Sequence, residues 1–585
     1  MQVGIANRIW HEGHARGSAM YRRGFCKHVL GVLTVLIGFA ASVSTQTLPQ
    51  TSPTASQQPA TPQPPKTPRA PTRADILRGA YGPYRANNDL LSYHLDIRVD
   101  PDKKFISGKN TIRFRMLKDD NRIQLDLHPS LSVDKILLGT TPLKYERELG
   151  AVFINFPATL KKGRVYAIDF FYSGNPVESA RFGGFAFRKD PSGHPWINTA
   201  CEDIGASAWW PNKDQWRDKV ENMQISVSIP SDLIDVSNGK FVGKTDLGNG
   251  YTRWDWFVHY PINNYGVSVN IGNYQHFADR LGDLPLDFYA LPEDLDKAKK
   301  QFVQAKGMIE AYQHYFGEYP FKKDGYKLIE VPYSGMEHQS AVTYGNLFKN
   351  GYLGRDWTGV GISLKFDFII IHESGHEWFG NSITASDRSD MWIHEGWTTY
   401  LEALYVEYMF GHDDAIKYVN GYKSKVMNRV PIIAERGVNA TPPQDMYFKG
   451  ALFLNTLRSV VDDDSRWWKL IHDFYQHFKY KNIMTEEIVQ FFNEKTGKDL
   501  TPIFNQYLRR TAIPTLELKF DETAGTVSYR WQADEPGFAM PVRVGTNDHW
   551  QIIQPTTDWK TMPTSLKKEE FEVATDLYYV NVAKL

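Results

Sequence analysis

A helix that carries His372-Glu373-Ser374-Gly375-His376 must bring both histidines to one face, because positions four apart lie one above the other. No other stretch constrains the chain so tightly. After an 18-residue gap comes Glu395, in Trp392-Ile393-His394-Glu395-Gly396-Trp397. The fold must therefore bring a second element against the first, so that His372, His376 and Glu395 can share one metal ion. Three protein ligands leave the fourth position of a zinc ion open, the arrangement of catalytic rather than structural zinc. Glu373, one residue round from His372, faces the same cleft and is the candidate general base. With 17 His in 585 residues, the five-residue pattern is expected by chance about 0.03 times. One zinc ion per chain is the expected cofactor.

The flanking residues predict a buried helix from Ser363 to Phe379, with Gly380-Asn381 as its stop. Helical spacing recurs at Asp294 to Tyr315, Glu395 to Phe410, Ala451 to Val461 and Thr485 to Lys495. Upstream, alternating runs such as Tyr93 to Val99 and Lys109 to Arg115 predict antiparallel strands, and alternation returns at Thr515 to Phe520, just after Pro514. The expected architecture is an α+β multidomain chain. It has an N-terminal antiparallel β domain (76–275), a mainly α catalytic domain (276–512) and a small C-terminal β domain (513–585).

Residues 1–45 have the form of a targeting segment: Arg16, Arg22, Arg23 and Lys27 precede an uncharged run from Val29 to Ala41, and Ser42-Val43-Ser44 offers small residues for cleavage. The run is about 13 residues, short of the about 20 a bilayer span needs, so export to a periplasmic or extracellular location is expected, with no stable transmembrane span after cleavage. Arg22-Arg23 also resembles a twin-arginine export signal. Residues 46–75, rich in Pro, Thr and Gln, read as a flexible tether. Cleavage would leave Cys201 as the one cysteine, which excludes an intrachain disulfide and suits a small buried hydrophobe. Lys and Arg (67) balance Asp and Glu (67), so no global basic field points to nucleic acid.

With the metal motif placed, three more segments resemble the M1 family of zinc aminopeptidases, the gluzincins, over roughly Asn87 to Pro514. Tyr333-Ser334-Gly335-Met336-Glu337-His338 is similar to the family's Gly-x-Met-Glu-Asn motif, with Ser334 for the first Gly and His338 for the Asn. Met446-Tyr447-Phe448-Lys449-Gly450-Ala451 resembles its Tyr-x-Lys-Gly-Ala. Glu202, nine residues before Pro211, is similar to an acidic or amide residue preceding another family segment, of which Trp210-Pro211-Asn212-Lys213-Asp214 is a loose version. The resemblance implies a thermolysin-like catalytic domain, a substrate surface at Gly335, Met336, Glu337 and Glu202 that binds a free amino terminus, and Tyr447 as stabiliser of the tetrahedral intermediate. Physical chemistry agrees with these roles, since carboxylates in a dry cleft bind an ammonium and a phenol can donate to an oxyanion. The chain departs from the pattern at Asp387-Arg388, where the family usually has paired tryptophans, and at His394, which replaces an Asn and points away from the metal as a neighbour of Glu395.

The expected function is an aminopeptidase acting on peptides with a free N-terminus. An endopeptidase or an epoxide hydrolase on the same core, and a non-catalytic peptide-binding scaffold, are the alternatives. Oligomeric state and the preferred first residue are not readable from these motifs.

Overall fold

The computed structural model describes residues 70–178 and 183–585; the targeting segment and most of the tether lie outside them. The last residues assigned to the tether are helical. Thr72 and Asp75 form a capping box that starts the helix Arg73–Gly79, since each side chain satisfies a backbone N–H that the first turn leaves free.

Alternation in the first third builds an eight-stranded sheet. Its order is Lys240–Asp246, Tyr251–Val258, Asn222–Pro230, Asn88–Asp100, Phe105–Met116, Val165–Gly174, Leu131–Leu138 and Thr141–Pro142. One pairing differs from the antiparallel expectation: Asn88–Asp100 runs parallel to Asn222–Pro230, with Ser92 opposite Asn222 and Arg98 opposite Ser228. The reason lies in burial. Asn222–Pro230 is covered on both faces, with Ser226 and Ser228 buried as well as Ile225, Val227 and Ile229, and parallel pairing is characteristic of strands buried on both sides. A second sheet, Ile234–Ser237, Val269–Gly272, Pro195–Ala200 and Gly184–Lys189, leads the chain directly into Cys201-Glu202.

The central region opens on a mixed five-stranded sheet ordered Gln275–Leu281, Leu284–Ala290, Tyr326–Glu330, Val342–Tyr344 and Gly335–Met336, so the short strand Gly335–Met336 is an edge. Helices follow. The predicted Ser363–Phe379 helix is shorter, a 3-10 turn at Ser363–Lys365 and then the helix Phe368–Gly375. Asp367 decides the start: it is buried, accepts from the N–H groups of Ile369 and Ile370, and holds the hydroxyl of Tyr344 at 2.7 Å. Past Gly375 the chain widens, with Asn381, Ser382 and Ile383 donating to carbonyls five residues back, the hydrogen-bond step of a π turn.

Two further long helices pack beneath the first, Trp392–Phe410 and Asp445–Val461. They cross where Gly396 meets Gly450: a Cβ added to Gly450 would stand 2.9 Å from the Cα of Gly396. The crossing sits one residue from Glu395 and three from Tyr447, so it sets how closely those two side chains approach. Asp464–Phe478, Thr501–Arg509 and His412–Gly421 are helices that the spacing did not predict.

From Thr515 the chain returns to strands in one four-stranded and one three-stranded sheet. These share one apolar core with the helices, while the first sheets have another. The described residues thus pack as one compact unit. Ala200, Trp216 and Tyr265, from the first β region, belong to the core of the helical region; that region supplies a wall of the central cleft.

Because a Cβ has no room at the crossing, Gly450→Ala should lower stability by about 1–3 kcal/mol, the usual cost of overpacking. Chemical denaturation of the purified variant would check it, with Gly437→Ala unsuitable as a control because its φ is +72° and Gly82→Ala suitable because nothing lies within 4 Å.

Candidate metal centre and amine-binding cleft

The helix Phe368–Gly375 presents His372 at its last turn and His376 at its C-terminal cap, both buried. Trp392–Phe410 presents Glu395 in its first turn, where the helix dipole favours a carboxylate. The three converge. Nε2 of His372 and Nε2 of His376 are 3.3 Å apart, and Oε2 of Glu395 is 3.5 Å and 3.4 Å from them. Donors about 2.0–2.1 Å from a tetrahedral zinc ion stand about 3.3–3.4 Å from one another, so the triangle has the size of one face of a zinc tetrahedron.

The surrounding groups turn the right atoms inward. Nδ1 of His372 lies 2.6 Å from Oε1 of Glu402, so it carries the proton and leaves the Nε2 lone pair free. Glu402 is itself held, accepting on Oε2 from Tyr418 at 2.6 Å and from Tyr422. Nδ1 of His376 donates to the carbonyl of Phe379 at 2.9 Å. Oε2 of Glu395 is buried with no hydrogen-bond partner. Two imidazole lone pairs and an unsatisfied carboxylate oxygen, packed at these distances, form a donor set for a borderline-soft divalent ion, and zinc fits it. Burial resists protonation of His376, yet Glu337 and Glu395 outweigh it and lift its pKa to about 9. The pocket draws positive charge.

Glu373 is half-buried beside the triangle, and burial pushes its carboxyl above the usual range against the pull of His372 and His376. The strand Gly335–Met336 lies over it. A Cβ at Gly335 would come within 2.7 Å of Ile369 and 3.0 Å of the Glu373 side chain, so only glycine lets the edge strand pass this close. Glu337 follows, 3% exposed, with Oε1 accepting from the Tyr265 hydroxyl at 3.0 Å and Oε2 3.7 Å from Nε2 of His376. Glu202 approaches from the other wall: Glu202, Glu337 and His394 bring oxygen and nitrogen atoms within 4.8 Å of one another. Oε1 of Glu202 is buried and unpartnered. Burial, then mutual repulsion with Glu395, raises Glu337 to about 7, and burial followed by Glu337 raises Glu202 well above the carboxylate range. Among the described residues neither is salt-bridged to a Lys or Arg.

Tyr447 stacks its ring over His372 at 6.1 Å, opposite Phe368 at 5.4 Å. Burial and the neighbouring Glu395 carboxylate raise its pKa well above the usual phenol value, so it is a protonated donor at neutral pH. Lys449, from the same motif, is spent on structure, donating to the carbonyls of Arg510 and Thr511 at 2.9 Å and 3.1 Å. His394 faces away from the triangle. Its Nε2 accepts from the backbone of Ala385 at 2.8 Å and its ring stacks on Trp216 at 5.0 Å. Cys201 is buried and burial lifts its thiol to about 12, which makes it inert.

Three contributors escaped the sequence reading: Glu402, Tyr265 and Trp216. Glu402 carried a usable signal, because it stands seven residues after Glu395 and thus two turns along the same face. Tyr265 and Trp216 carried none, since only tertiary packing brings the first β region to the metal helix.

Glu402 fixes both the tautomer and the direction of His372, so Glu402→Gln should weaken zinc affinity about 10- to 100-fold, the usual cost of losing such a partner. Competition against a chromophoric chelator measures it; unchanged affinity would sink the assignment.

The Peptidase M1 N-terminal domain model matches residues 90–264 and the Peptidase family M1 domain model residues 301–507. Probable aminopeptidase 2 of Sulfurisphaera tokodaii is 24% identical over 350 residues, 56% of this chain and 43% of that protein. Leucyl aminopeptidase of Saccharolobus solfataricus is 22% identical over 310 residues, 50% of this chain and 39% of that one. The chain thus spans about two fifths of the length of these relatives. A crystal structure of an M1 zinc metallopeptidase from Deinococcus radiodurans shares the fold, with a TM-score of 0.61 at 19% identity over 73% of this chain and 95% of that one. A mutant of the Deinococcus enzyme bound to a Tyr-Ser-Ala substrate aligns equally well, with a TM-score of 0.61. The two family models together match more than half of the residues, in the order and at the places where the metal triangle and the acidic cleft are built, and the chain belongs to peptidase family M1.

Proposed function

We propose that this protein is an exported zinc aminopeptidase that removes the first residue of peptides bearing a free amino terminus. The observation that carries the reading is the pair Glu202 and Glu337: two carboxylates in a water-poor cleft beside the metal triangle, one with an unpartnered oxygen, and neither salt-bridged to a Lys or Arg among the described residues. Holding two such charges together uncompensated costs several kcal/mol. A substrate ammonium removes that cost, which makes the cleft selective for a chain end.

When bound at His372, His376 and Glu395, zinc supplies Lewis-acid polarisation of a carbonyl and a water of lowered pKa. The remaining chemistry belongs to the side chains. Glu373, its pKa raised by burial, accepts a proton from the attacking water and delivers it to the leaving amine. Tyr447 keeps its proton at neutral pH and so donates a hydrogen bond to the oxyanion. The edge strand Gly335–Met336 has one side unpaired and suits alignment of an extended peptide backbone. Glu337 and Glu202 then set the register, so that the bond over the metal is the first one.

An endopeptidase is disfavoured by the same pair, because an internal peptide segment brings no ammonium to two buried carboxylates. The epoxide hydrolase alternative would use the metal triangle but gives Glu202 no counterion. A non-catalytic scaffold would have no need of a complete ligand set with Glu373 beside it. Export rests on the basic and apolar leader in residues 1–45; no helix among the described residues is long and apolar enough to cross a membrane. Peptides are the proposed partners.

Glu373→Gln should retain zinc and lose turnover about 10²- to 10⁴-fold, the range for a general acid–base group. Single-turnover assays with metal analysis check it. Glu337→Gln should lower kcat/KM on a free-amino peptide on the order of 10- to 100-fold, the value of one charge-assisted hydrogen bond. The wild-type protein should leave the N-acetylated form of the same peptide uncut. Equal cleavage of the blocked and free peptides would refute the exopeptidase reading.

A further inference from the structure

Arg388 stands where the family resemblance leads one to expect a tryptophan, and it is almost fully buried, at 8% exposure. Its guanidinium does not touch the Glu202 carboxylate. One nitrogen donates instead to the backbone carbonyl of Glu202, and the other donates to Asp203 Oδ1 at 2.6 Å and to Thr441 Oγ1 at 3.2 Å. The planar fork therefore holds the Glu202 carbonyl and the side chain of the next residue, Asp203, and fastens both to Thr441 in the loop before Asp445–Val461. This division matters chemically. A guanidinium paired with the carboxylate itself would neutralise it and compete with a substrate ammonium, whereas one spent on the carbonyl and on Asp203 orients the carboxylate and leaves Oε1 unpartnered.

The same side chain also braces the rings behind Glu337. Its cationic face lies over the ring of Trp216 at 5.3 Å. Trp216 packs on Tyr265 at 4.9 Å and stacks on His394 at 5.0 Å, and Tyr265 donates to Glu337 at 3.0 Å. The backbone of Glu202 and the ring stack behind Glu337 are thus fixed to one residue. A tryptophan could pack on Trp216, but its single indole donor could not hold a carbonyl and a carboxylate at once.

We propose that Arg388 is a positioning residue for substrate recognition: it holds Glu202 opposite Glu337 at the spacing that a terminal ammonium bridges, and so sets the preference for a free amine. The inference rests on the aminopeptidase reading. Arg388 reaches neither the metal triangle nor Glu373, so its loss acts on amine binding and not on the hydrolytic step.

The test compares two inhibitors that differ only by the amine, L-leucine hydroxamate and 4-methylpentanohydroxamate, on the zinc-loaded full chain. Arg388→Ala should weaken the first about tenfold, as expected for loss of one well-oriented charge-assisted contact, and leave the second within about twofold. KM for an aminoacyl p-nitroanilide should rise by the same factor, with kcat and zinc content little changed. In a Glu202→Gln background, adding Arg388→Ala should cost less than about twofold more, because the two act through one contact. If the alanine variant does not fold, Arg388→Lys carries the test, since it keeps the charge but reaches only one acceptor, and the same direction is expected. Equal weakening of both hydroxamates, or additive losses in the double variant, would overturn the positioning role. Should Glu202→Gln discriminate between the inhibitors while Arg388→Ala and Arg388→Lys do not, the inference fails and the aminopeptidase reading stands. If Glu202→Gln itself leaves the discrimination intact, the reading of Glu202 fails and Arg388 falls with it.

Discussion

Four carboxylates, those of Glu202, Glu337, Glu373 and Glu395, crowd one cleft whose walls exclude most water, and the rest of the site is arranged around the demand for positive charge that this creates. Uncompensated charges cannot be kept together in a low-dielectric interior without a cation or a shift in protonation. Two cations answer the demand. A divalent ion suits the end where two imidazole lone pairs meet Glu395, and an ammonium suits the end where Glu202 faces Glu337. In the proposed aminopeptidase, the distance between the ends determines which bond of a bound peptide lies over the metal.

Holding such a cluster requires a scaffold that does not relax, and the chain builds it from buried polar groups with their own partners. Asp367 starts the metal helix and is anchored by Tyr344, Gln301 and Asn346. Glu402 is pinned by two tyrosines before it orients His372. Glu377, in the turn after the metal helix, is buried and accepts from Tyr319, from the backbone of Ser340 and from Asn381. Each is costly to bury alone and inexpensive once satisfied, so the polar network resists rearrangement more firmly than apolar packing would. The close crossing at Gly396 and Gly450 serves the same end by steric means, since two backbones in contact leave Tyr447 no freedom to drift from Glu395.

Much of this was legible beforehand because local periodicity and short motifs are local physics. Positions four apart on a helix share a face whatever surrounds them, so His372 and His376 could be paired without a structure, and the alternation near Tyr93 and Thr515 marked strands. Errors fell where long-range packing overrode local preference. The parallel pairing of Asn88–Asp100 with Asn222–Pro230 depends on strands more than a hundred residues apart. The metal helix ends at Gly375, before the Gly380-Asn381 signal, because the next turn widens to place Asn381 and Ser382. The strands after Thr515 look like a separate unit by composition but bury their apolar face in the core of the helices.

By itself the sequence determined which residues could form a metal triangle, which carboxylate would stand beside them and the class of chemistry to expect, because those functions need particular atoms at spacings that one helix enforces. Only the tertiary structure decided how Glu202, Arg388, Trp216 and Tyr265 come together with Glu337. These residues are scattered from 202 to 388 and share no period. What unites them is a burial problem, two acidic groups that need one cation, and that problem exists only when both walls of the cleft are in place.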